Sequence, residues 1–186
     1  METQKNKKSK ILSMVYIAVG AALLTVCSWI SIPLFAVPVT LQTFAICLIS
    51  ALFPLPISLG SFAVYMLLGF IGLPVFSGMK NGAAAIASPT FGYLIGFVIA
   101  IVIIRAAIHM FAGKRLLLFV GMEVGIFLVY LFGSVWYFIF SLNGGNYVGF
   151  LAVITVCVLP FIIPDAIKAV IAILIATRLY PIIHQR

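Results

Sequence analysis

The composition of this chain is that of a membrane protein. Its 186 residues are 65% hydrophobic and only 8% charged, and the mean hydropathy is +1.33. Soluble domains carry about 45–50% apolar and about 25% charged residues, so this chain has too few polar side chains to cover a water-facing surface. A soluble globular protein, a disordered chain, a disulfide scaffold and a coiled coil are therefore excluded. The apolar runs are continuous rather than alternating, which argues against a β-barrel.

The net charge of +8 is concentrated at the ends of the apolar runs. Four of the eleven cationic residues are lysines within residues 1–10, before the first run. This distribution is the positive-inside signal of a membrane protein. No aromatic side chains are interleaved with these cations, so the charge does not indicate a nucleic-acid partner. We expect a basic cytoplasmic tail over residues 1–10 and a single transmembrane domain, embedded in the lipid bilayer, over residues 11–186.

Six apolar segments follow the tail, which predicts an all-α integral membrane protein with six transmembrane helices. In chain order they cover residues 11–32, 39–53, 57–71, 91–112, 116–140 and 148–179. The second and third are short, about 22 Å for the second. We interpret both as spans rather than as a re-entrant hairpin, because a hairpin would bury non-helical backbone in the membrane. Proline is favoured at the first helical position, so the final helix is predicted to begin near Pro164.

The positions of the cations predict the orientation in the membrane. With six spans and both termini in the cytoplasm, the inner ends hold the N-terminal lysines together with Lys114, Arg115, Arg178 and Arg186. The outer loops then hold only Lys80, an asymmetry that supports cytoplasmic termini. This orientation places residues 72–90, the longest segment between spans, on the outer face. Long ordered loops tend to carry function.

Two acidic residues, Glu123 and Asp165, lie in apolar sequence, where an ionisable side chain is costly and usually either paired or functional. Arg105 precedes the turn at Lys114 by nine residues, and Glu123 follows that turn by nine. In an antiparallel helix pair the two side chains lie at similar depth. This spacing predicts a structural ion pair between Arg105 and Glu123.

Asp165 and Lys168 are three residues apart and therefore share one helix face. Asp165 directly follows Pro164, in the predicted first turn, where the positive end of a helix favours an anion. From the residues alone two interpretations stay open: a local pair at a helix start, or an outer-facing polar site for an amphiphilic solute. Asn81, in residues 72–90, would add an amide that both donates and accepts hydrogen bonds.

Several classes of function lack their motifs. The chain has no phosphate-binding loop for ATP and no metal-ligand spacing, so we expect neither a metal nor a cofactor. An intramembrane enzyme is disfavoured, because the outer site offers only Asp165 and Lys168 for acid–base chemistry. A membrane scaffold that packs through its G-x-x-x-G pairs is an alternative, although such pairs more often serve internal packing.

Four stretches of the sequence resemble the BioY family, the biotin-specific substrate-binding subunits of energy-coupling factor transporters. They are SIPLFAVPVTLQT at 31–43, GLPVFSG at 72–78, SPTFGYLIGF at 88–97 and PDAIK at 164–168. Their order and spacing cover most of the chain. The sequence departs from the family pattern at three positions where glycine is usual: Met79, Ser88 and Phe91.

The resemblance implies a high-affinity biotin-binding subunit of six membrane helices, with an outward-facing site under the 72–90 loop. It implies that Asp165 accepts hydrogen bonds from the ureido N–H groups and that Asn81 binds the ureido carbonyl. Lys168 would serve the valerate carboxylate or orient Asp165. The remaining residues assigned to the site by resemblance are Gly78, Gly82, Tyr93 and Gln42.

The resemblance also implies the partners and the location of the protein. Biotin would be the transported ligand, and the protein would lie in the bacterial cytoplasmic membrane. Members often pair with a transmembrane coupling protein and two ATPases, whereas some act alone. Ala18 and Ala22 match the small-residue surface presented to the coupling protein, and coupled transport would involve tipping of the subunit within the membrane. A subunit of the same type for another vitamin is an alternative.

Overall fold

The structure, a computed structural model, describes residues 2–33, 37–111, 114–144 and 148–184. Its helices are α1 Glu2–Trp29, α2 Gln42–Leu52, α3 Leu55–Phe70, α4 Gly82–Ile86, α5 Phe91–Met110, α6 Arg115–Asn143, α7 Phe150–Cys157 and α8 Leu159–His184. Two short strands, β1 Ser31–Ile32 and β2 Val39–Thr40, pair antiparallel with Ser31 opposite Thr40. The predicted all-α class is confirmed.

Four stretches of helix are long and apolar enough to cross a membrane, judged by length and composition. They are Ser9–Trp29, Phe91–Met110, Arg115–Asn143 and Phe150–Ile183. Helices α2 and α3 are apolar but shorter, with 11 and 16 residues. At 1.5 Å per residue α2 is about 16 Å long, roughly half of the hydrocarbon core of a bilayer. The count of six membrane crossings therefore stays a prediction.

Helix α2 forms the centre of the bundle. It packs against α1, α5 and α8, and nearly all of its side chains are buried. A helix that is apolar on every side is buried on every side, and the sequence QTFAICLISAL has that character. Around α2, helix α1 packs on α3, and α5 and α6 form a closely packed hairpin.

Glycines allow α5 and α6 to approach closely. A Cβ atom on Gly96 would lie 2.7 Å from the Cα atom of Val129, and a Cβ atom on Gly92 would also meet α6. Gly121 and Gly125 of α6 face α5 in the same way. Both G-x-x-x-G pairs therefore serve packing within the chain. Since these faces are occupied, they are not free for the scaffold interaction considered from the sequence.

Helix α1 begins earlier than the sequence predicts. Residues 1–10 are predicted to form a tail, but α1 starts at Glu2 and continues without a break to Trp29. The segment is rich in lysine and also contains glutamate and glutamine, all of which have high helix propensity. The basic segment is thus a helical extension of the first apolar run.

The last helix also begins earlier than predicted. Helix α8 starts at Leu159, directly after a break at Val158, so Pro164 lies inside α8 rather than at its start. Pro160 occupies the first turn of α8. Backbone N–H groups in the first turn make no hydrogen bond within the helix, so a proline, which lacks this N–H, is tolerated there. Asp165 therefore lies beyond the first turn, which contains no acidic residue. The predicted stabilisation of Asp165 by a helix end does not apply.

The predicted ion pair between Arg105 and Glu123 is absent among the residues that the structure describes. Arg105 Nη1 instead donates to the backbone oxygen of Ser50 at 3.2 Å, and Glu123 Oε1 is buried without a described partner. Two residues at equal depth in a helix pair form an ion pair only if both side chains point towards the helix–helix interface. Glu123 is two positions from both Gly121 and Gly125, which face α5, and two positions rotate a side chain by about 200° around the helix axis.

Candidate functional site

A pocket lies where α2, α5, α6 and α8 converge beneath the 72–90 loop. Its volume is about 60 Å³, and residues of the loop and of β2 complete its walls. Pockets that hold small ligands usually measure about 300–1,000 Å³. The pocket is smaller than this range, so we expect its walls to move apart when a ligand binds.

Asp165 is the centre of the hydrogen-bond network in this pocket. Its side chain is buried, with 1% of the residue exposed. Oδ1 accepts from Lys168 Nζ and from Thr43 Oγ1, both at 2.7 Å, and Oδ2 accepts from the Tyr130 hydroxyl at 2.7 Å. A buried charge is tolerated when it is paired and hydrogen-bonded. The predicted pairing of Asp165 with Lys168 on one helix face is present as a salt bridge.

Lys168 holds Asp165 and strand β2 together. Besides its bond to Asp165, Nζ donates to the backbone oxygen of Thr40 at 2.6 Å and to Thr43 Oγ1 at 3.3 Å. An ammonium group has three donors, and all three are engaged here. Of the two roles considered for Lys168, the arrangement favours orientation of Asp165 over direct contact with a carboxylate.

Gln42 lines the pocket beside this network. Its Nε2 donates to the Tyr65 hydroxyl at 2.8 Å, and its Oε1 accepts from Thr40 Oγ1 at 3.2 Å. The buried ring of Tyr65 packs edge-on against Phe76 of the 72–90 loop, with ring centroids 5.2 Å apart. The Gln42 amide is therefore held in place at the pocket wall.

Aromatic rings form another part of the pocket wall. Tyr93 lines the pocket, and its hydroxyl donates to the backbone oxygen of Cys157 at 2.9 Å. Phe161 lies between Tyr93 and Tyr130, with ring centroids 6.3 Å from each. Because the Tyr93 hydroxyl is satisfied by the backbone, its ring is presented to the pocket as an apolar surface.

Three of the predicted site residues do not line the pocket. Asn81 is exposed, and its Oδ1 caps helix α4 by accepting from a backbone N–H at 3.1 Å. Gly78 and Met79 make a turn with φ of +71° and +56°, the left-handed region that favours glycine. A Cβ atom on Gly82 would lie 2.6 Å from the ring of Phe70. These residues shape the loop rather than the pocket wall.

The 72–90 loop is fastened to the helices at both of its ends. Ser28 Oγ of α1 donates to the backbone oxygen of Val75. Trp136 Nε1 of α6 donates to the backbone oxygen of Ser88 at 3.0 Å. The part of the loop between these anchors contributes Phe76, Ser77, Lys80 and Ala85 to the pocket lining.

Comparison with known proteins decides the family. The sequence profile of the BioY family matches residues 2–185. The chain belongs to this family. The resemblance inferred from its four sequence stretches is therefore confirmed.

Three relatives in the BioY family match along nearly their whole length. A probable biotin transporter BioY of Pyrococcus horikoshii is 36% identical over 92% of this chain and 97% of its own. Biotin transporter BioY2 of Lactococcus lactis subsp. cremoris is 32% identical over 89% of this chain and 88% of its own. Biotin transporter BioY of Thermotoga maritima is 36% identical over 85% and 89%.

One solved structure has the same fold. It is a crystal structure of the S-component for biotin from an ECF-type ABC transporter. The TM-score is 0.82 at 24% sequence identity, and the match covers 92% of each chain. The helix arrangement described above therefore matches the fold of that S-component.

Sequence reasoning missed two residues that bind Asp165. Thr43 lies in the stretch at 31–43 that resembles the BioY family, one position after Gln42, so its position in that motif was an available signal. Tyr130 lies in the middle of an apolar run with no polar neighbours to mark it. Lys80 was noted only as the one cation of the outer loops, but it lines the pocket.

Proposed function

We propose that this chain binds biotin in the Asp165 pocket and serves biotin uptake as the substrate-binding subunit of an ECF-type transporter. Three relatives, each at least 32% identical and covered for 88% or more of their length, are named as biotin transporters. The observation that carries the assignment of the site is the buried carboxylate of Asp165. It lines a small pocket together with aromatic side chains such as Tyr93 and Phe161.

The polar network suits the ureido group of biotin, which offers two N–H donors and one carbonyl acceptor. A carboxylate has about four acceptor positions, and three of those on Asp165 are used by Lys168, Thr43 and Tyr130. One position is free for a ureido N–H. A second becomes free when one of the two hydroxyl groups turns towards the ureido carbonyl. The bicyclic thioether ring would lie against Tyr93 and Phe161.

Lys80 is proposed to bind the valerate carboxylate. The pocket lining contains two cations, and the ammonium group of Lys168 is already engaged with Asp165 and Thr40. Lys80 makes no side-chain hydrogen bond or ion pair within the described residues. It lies in the 72–90 loop and lines the same pocket as Asp165.

Lys80→Gln is expected to weaken biotin binding about tenfold, the effect of losing one hydrogen bond to a charged group. Binding of biotin methyl ester, which lacks the anion, should change much less. Calorimetry on the purified chain with both ligands measures the difference. Lys114→Gln is the matched control, because it removes the same charge from an exposed position outside the pocket. An equal loss for acid and ester would contradict this role.

Asn81→Asp is expected to leave biotin affinity within about twofold of the wild type. Asp caps a helix as well as Asn does, whereas Asn81→Ala removes the cap and costs about 1 kcal/mol of loop stability. If Asn81 donates an amide N–H to the ureido carbonyl, as the family resemblance implies, Asp cannot replace it. A large loss of affinity in Asn81→Asp would therefore overturn the capping role in favour of direct ligand contact.

The assignment of biotin is tested by titrating the detergent-purified chain with biotin and, in parallel, with unrelated vitamins such as riboflavin and thiamine. Saturable binding of biotin alone is the expected result. If a different vitamin binds, the chain is still a substrate-binding subunit, but biotin is not its ligand. A folded, monodisperse sample that binds none of them would remove the transport assignment altogether.

For the membrane topology we propose six crossings, made by the four long stretches together with α2 and α3, with both termini in the cytoplasm. The pocket and Lys80 then face outward, and Lys114, Arg115 and Arg178 face inward, in agreement with the positive-inside rule. The native cysteines are all buried. Met79→Cys should therefore react with an impermeant maleimide in intact cells, and Lys114→Cys only after permeabilisation; the reverse pattern would invert the topology.

We propose further that α1 contacts a transmembrane coupling protein, which acts with two ATPases. Ala18 and Ala22 are exposed, whereas Gly20 and Ala21 on the same helix are buried in the bundle. Ala22→Trp should reduce biotin uptake in cells that contain the coupling module and leave biotin binding by the purified chain unchanged. Unchanged uptake would favour a chain that acts alone.

A further inference from the structure

A second cavity lies at the end of the bundle opposite to the Asp165 pocket. Its volume is about 590 Å³, and α5, α6 and α8 supply most of its walls. On α5 it is lined by residues around Arg105, more than two turns beyond Phe97 of the first pocket. The two cavities have no lining residue in common. The second cavity is therefore separate from the proposed biotin site.

This cavity contains two arginines and, among the residues that the structure describes, no carboxylate. Arg105 and Arg115 line it together with His109. The one described hydrogen bond of Arg105 goes to the backbone oxygen of Ser50, and Arg115 makes no side-chain bond within the described residues. Among the side chains that the structure describes, the only salt bridge is that of the Asp165 pocket. Cations in a membrane protein are costly unless they are paired.

The remaining walls of the cavity are mostly apolar, apart from Thr177 and Tyr180. They are formed by side chains from α5, α6 and α8, among them Ile108, Leu118, Met122, Ile173 and Pro181. A ligand that matches this lining carries an anionic group for the guanidinium groups and an apolar part for the rest. The volume lies within the usual range of about 300–1,000 Å³ for pockets that hold such molecules.

We propose that this cavity binds an anionic phospholipid, with its phosphate between Arg105 and Arg115 and the start of an acyl chain against the apolar wall. The planar guanidinium group of arginine binds phosphate in a bidentate manner. Basic pockets between transmembrane helices are a recurrent site for anionic head groups. A free phosphate ion would leave the apolar wall without a partner, so a lipid fits the whole lining better.

The test uses the purified full-length chain in mixed micelles that contain dioleoyl phosphatidylglycerol or, at the same mole fraction, zwitterionic dioleoyl phosphatidylcholine. We expect phosphatidylglycerol to be retained through purification, as measured by mass spectrometry, and to raise the unfolding temperature. Phosphatidylcholine should do neither. The Arg105→Gln/Arg115→Gln variant should retain at least about fivefold less phosphatidylglycerol and lose the thermal shift.

Matched controls separate this site from general charge effects and from misfolding. Lys114→Gln removes an exposed cation next to Arg115 but outside the cavity lining, and it should behave as the wild type. If the double variant is unstable, Arg115→Gln alone takes its place, because Arg115 has no described partner whose loss would disturb the fold. This single variant should also retain less phosphatidylglycerol. Biotin binding, measured on the same samples, should be unchanged in every variant, because the two cavities share no residue.

Four outcomes would overturn the proposal. Equal retention of phosphatidylglycerol by the wild type and the arginine variants would exclude the cavity. An equal loss in Lys114→Gln would show a non-specific charge effect. An equal thermal shift with soluble glycerol phosphate would indicate a site for free phosphate. If no lipid is retained, and the coupling protein instead shields Arg105 and Arg115 from chemical modification, the cavity binds an acidic protein partner.

Discussion

Asp165→Asn is expected to lower the affinity for biotin at least about 100-fold, which corresponds to about 3 kcal/mol. The substitution keeps the shape of the side chain but removes its charge and replaces one acceptor oxygen by a donor NH₂ group. That donor would face Lys168, Thr43 or Tyr130, each of which also donates in the present arrangement. It would also face the ureido N–H groups of the ligand. Calorimetry on the purified variant measures the loss.

The matched control for this experiment is Glu123→Gln. It converts the other carboxylate of the transmembrane region to an amide, and Glu123 does not line the pocket. Biotin affinity should change by less than about threefold in this variant. If Asp165→Asn binds biotin as tightly as the wild type, or if both variants lose affinity equally, the Asp165 pocket is not the biotin site.

Lys168→Met is expected to be the most destabilising single change in the site. It removes the partner of a carboxylate that is 1% exposed and releases the backbone oxygen of Thr40, which Lys168 holds at 2.6 Å. Loss of one partner of a buried ion pair typically costs about 3–5 kcal/mol, because the other charge stays buried without compensation. The unfolding temperature in detergent should fall well below that of the wild type, and biotin binding should be lost.

The double variant Asp165→Asn/Lys168→Met distinguishes an electrostatic cause from a packing cause. Removal of both charges eliminates the uncompensated carboxylate, so the double variant should unfold at a higher temperature than Lys168→Met alone. It should still fail to bind biotin. A double variant that is no more stable than the single one would indicate that Lys168 acts through its packing and its bond to Thr40, and not through the charge of Asp165.

The sequence alone determined those properties of the protein that depend on its composition or on residues close together along the chain. The apolar composition decided the membrane class, because too few polar residues exist to cover a soluble surface. The pairing of Asp165 with Lys168 follows from a separation of three residues on any helix, wherever that helix starts. The four motif stretches were sufficient to indicate the BioY family, to which the chain belongs.

Features that join distant segments were decided only by the tertiary structure. Thr43 and Tyr130 reach Asp165 from positions 122 and 35 residues away, and no local pattern specifies that α2 and α6 meet α8 at this depth. The predicted pair of Arg105 and Glu123 failed for the same reason: the turn sets the depth of each residue, but packing of the glycine faces sets the rotation of each helix. Side-chain direction is a property of the packed bundle, since a shift of one residue turns a helix face by about 100°.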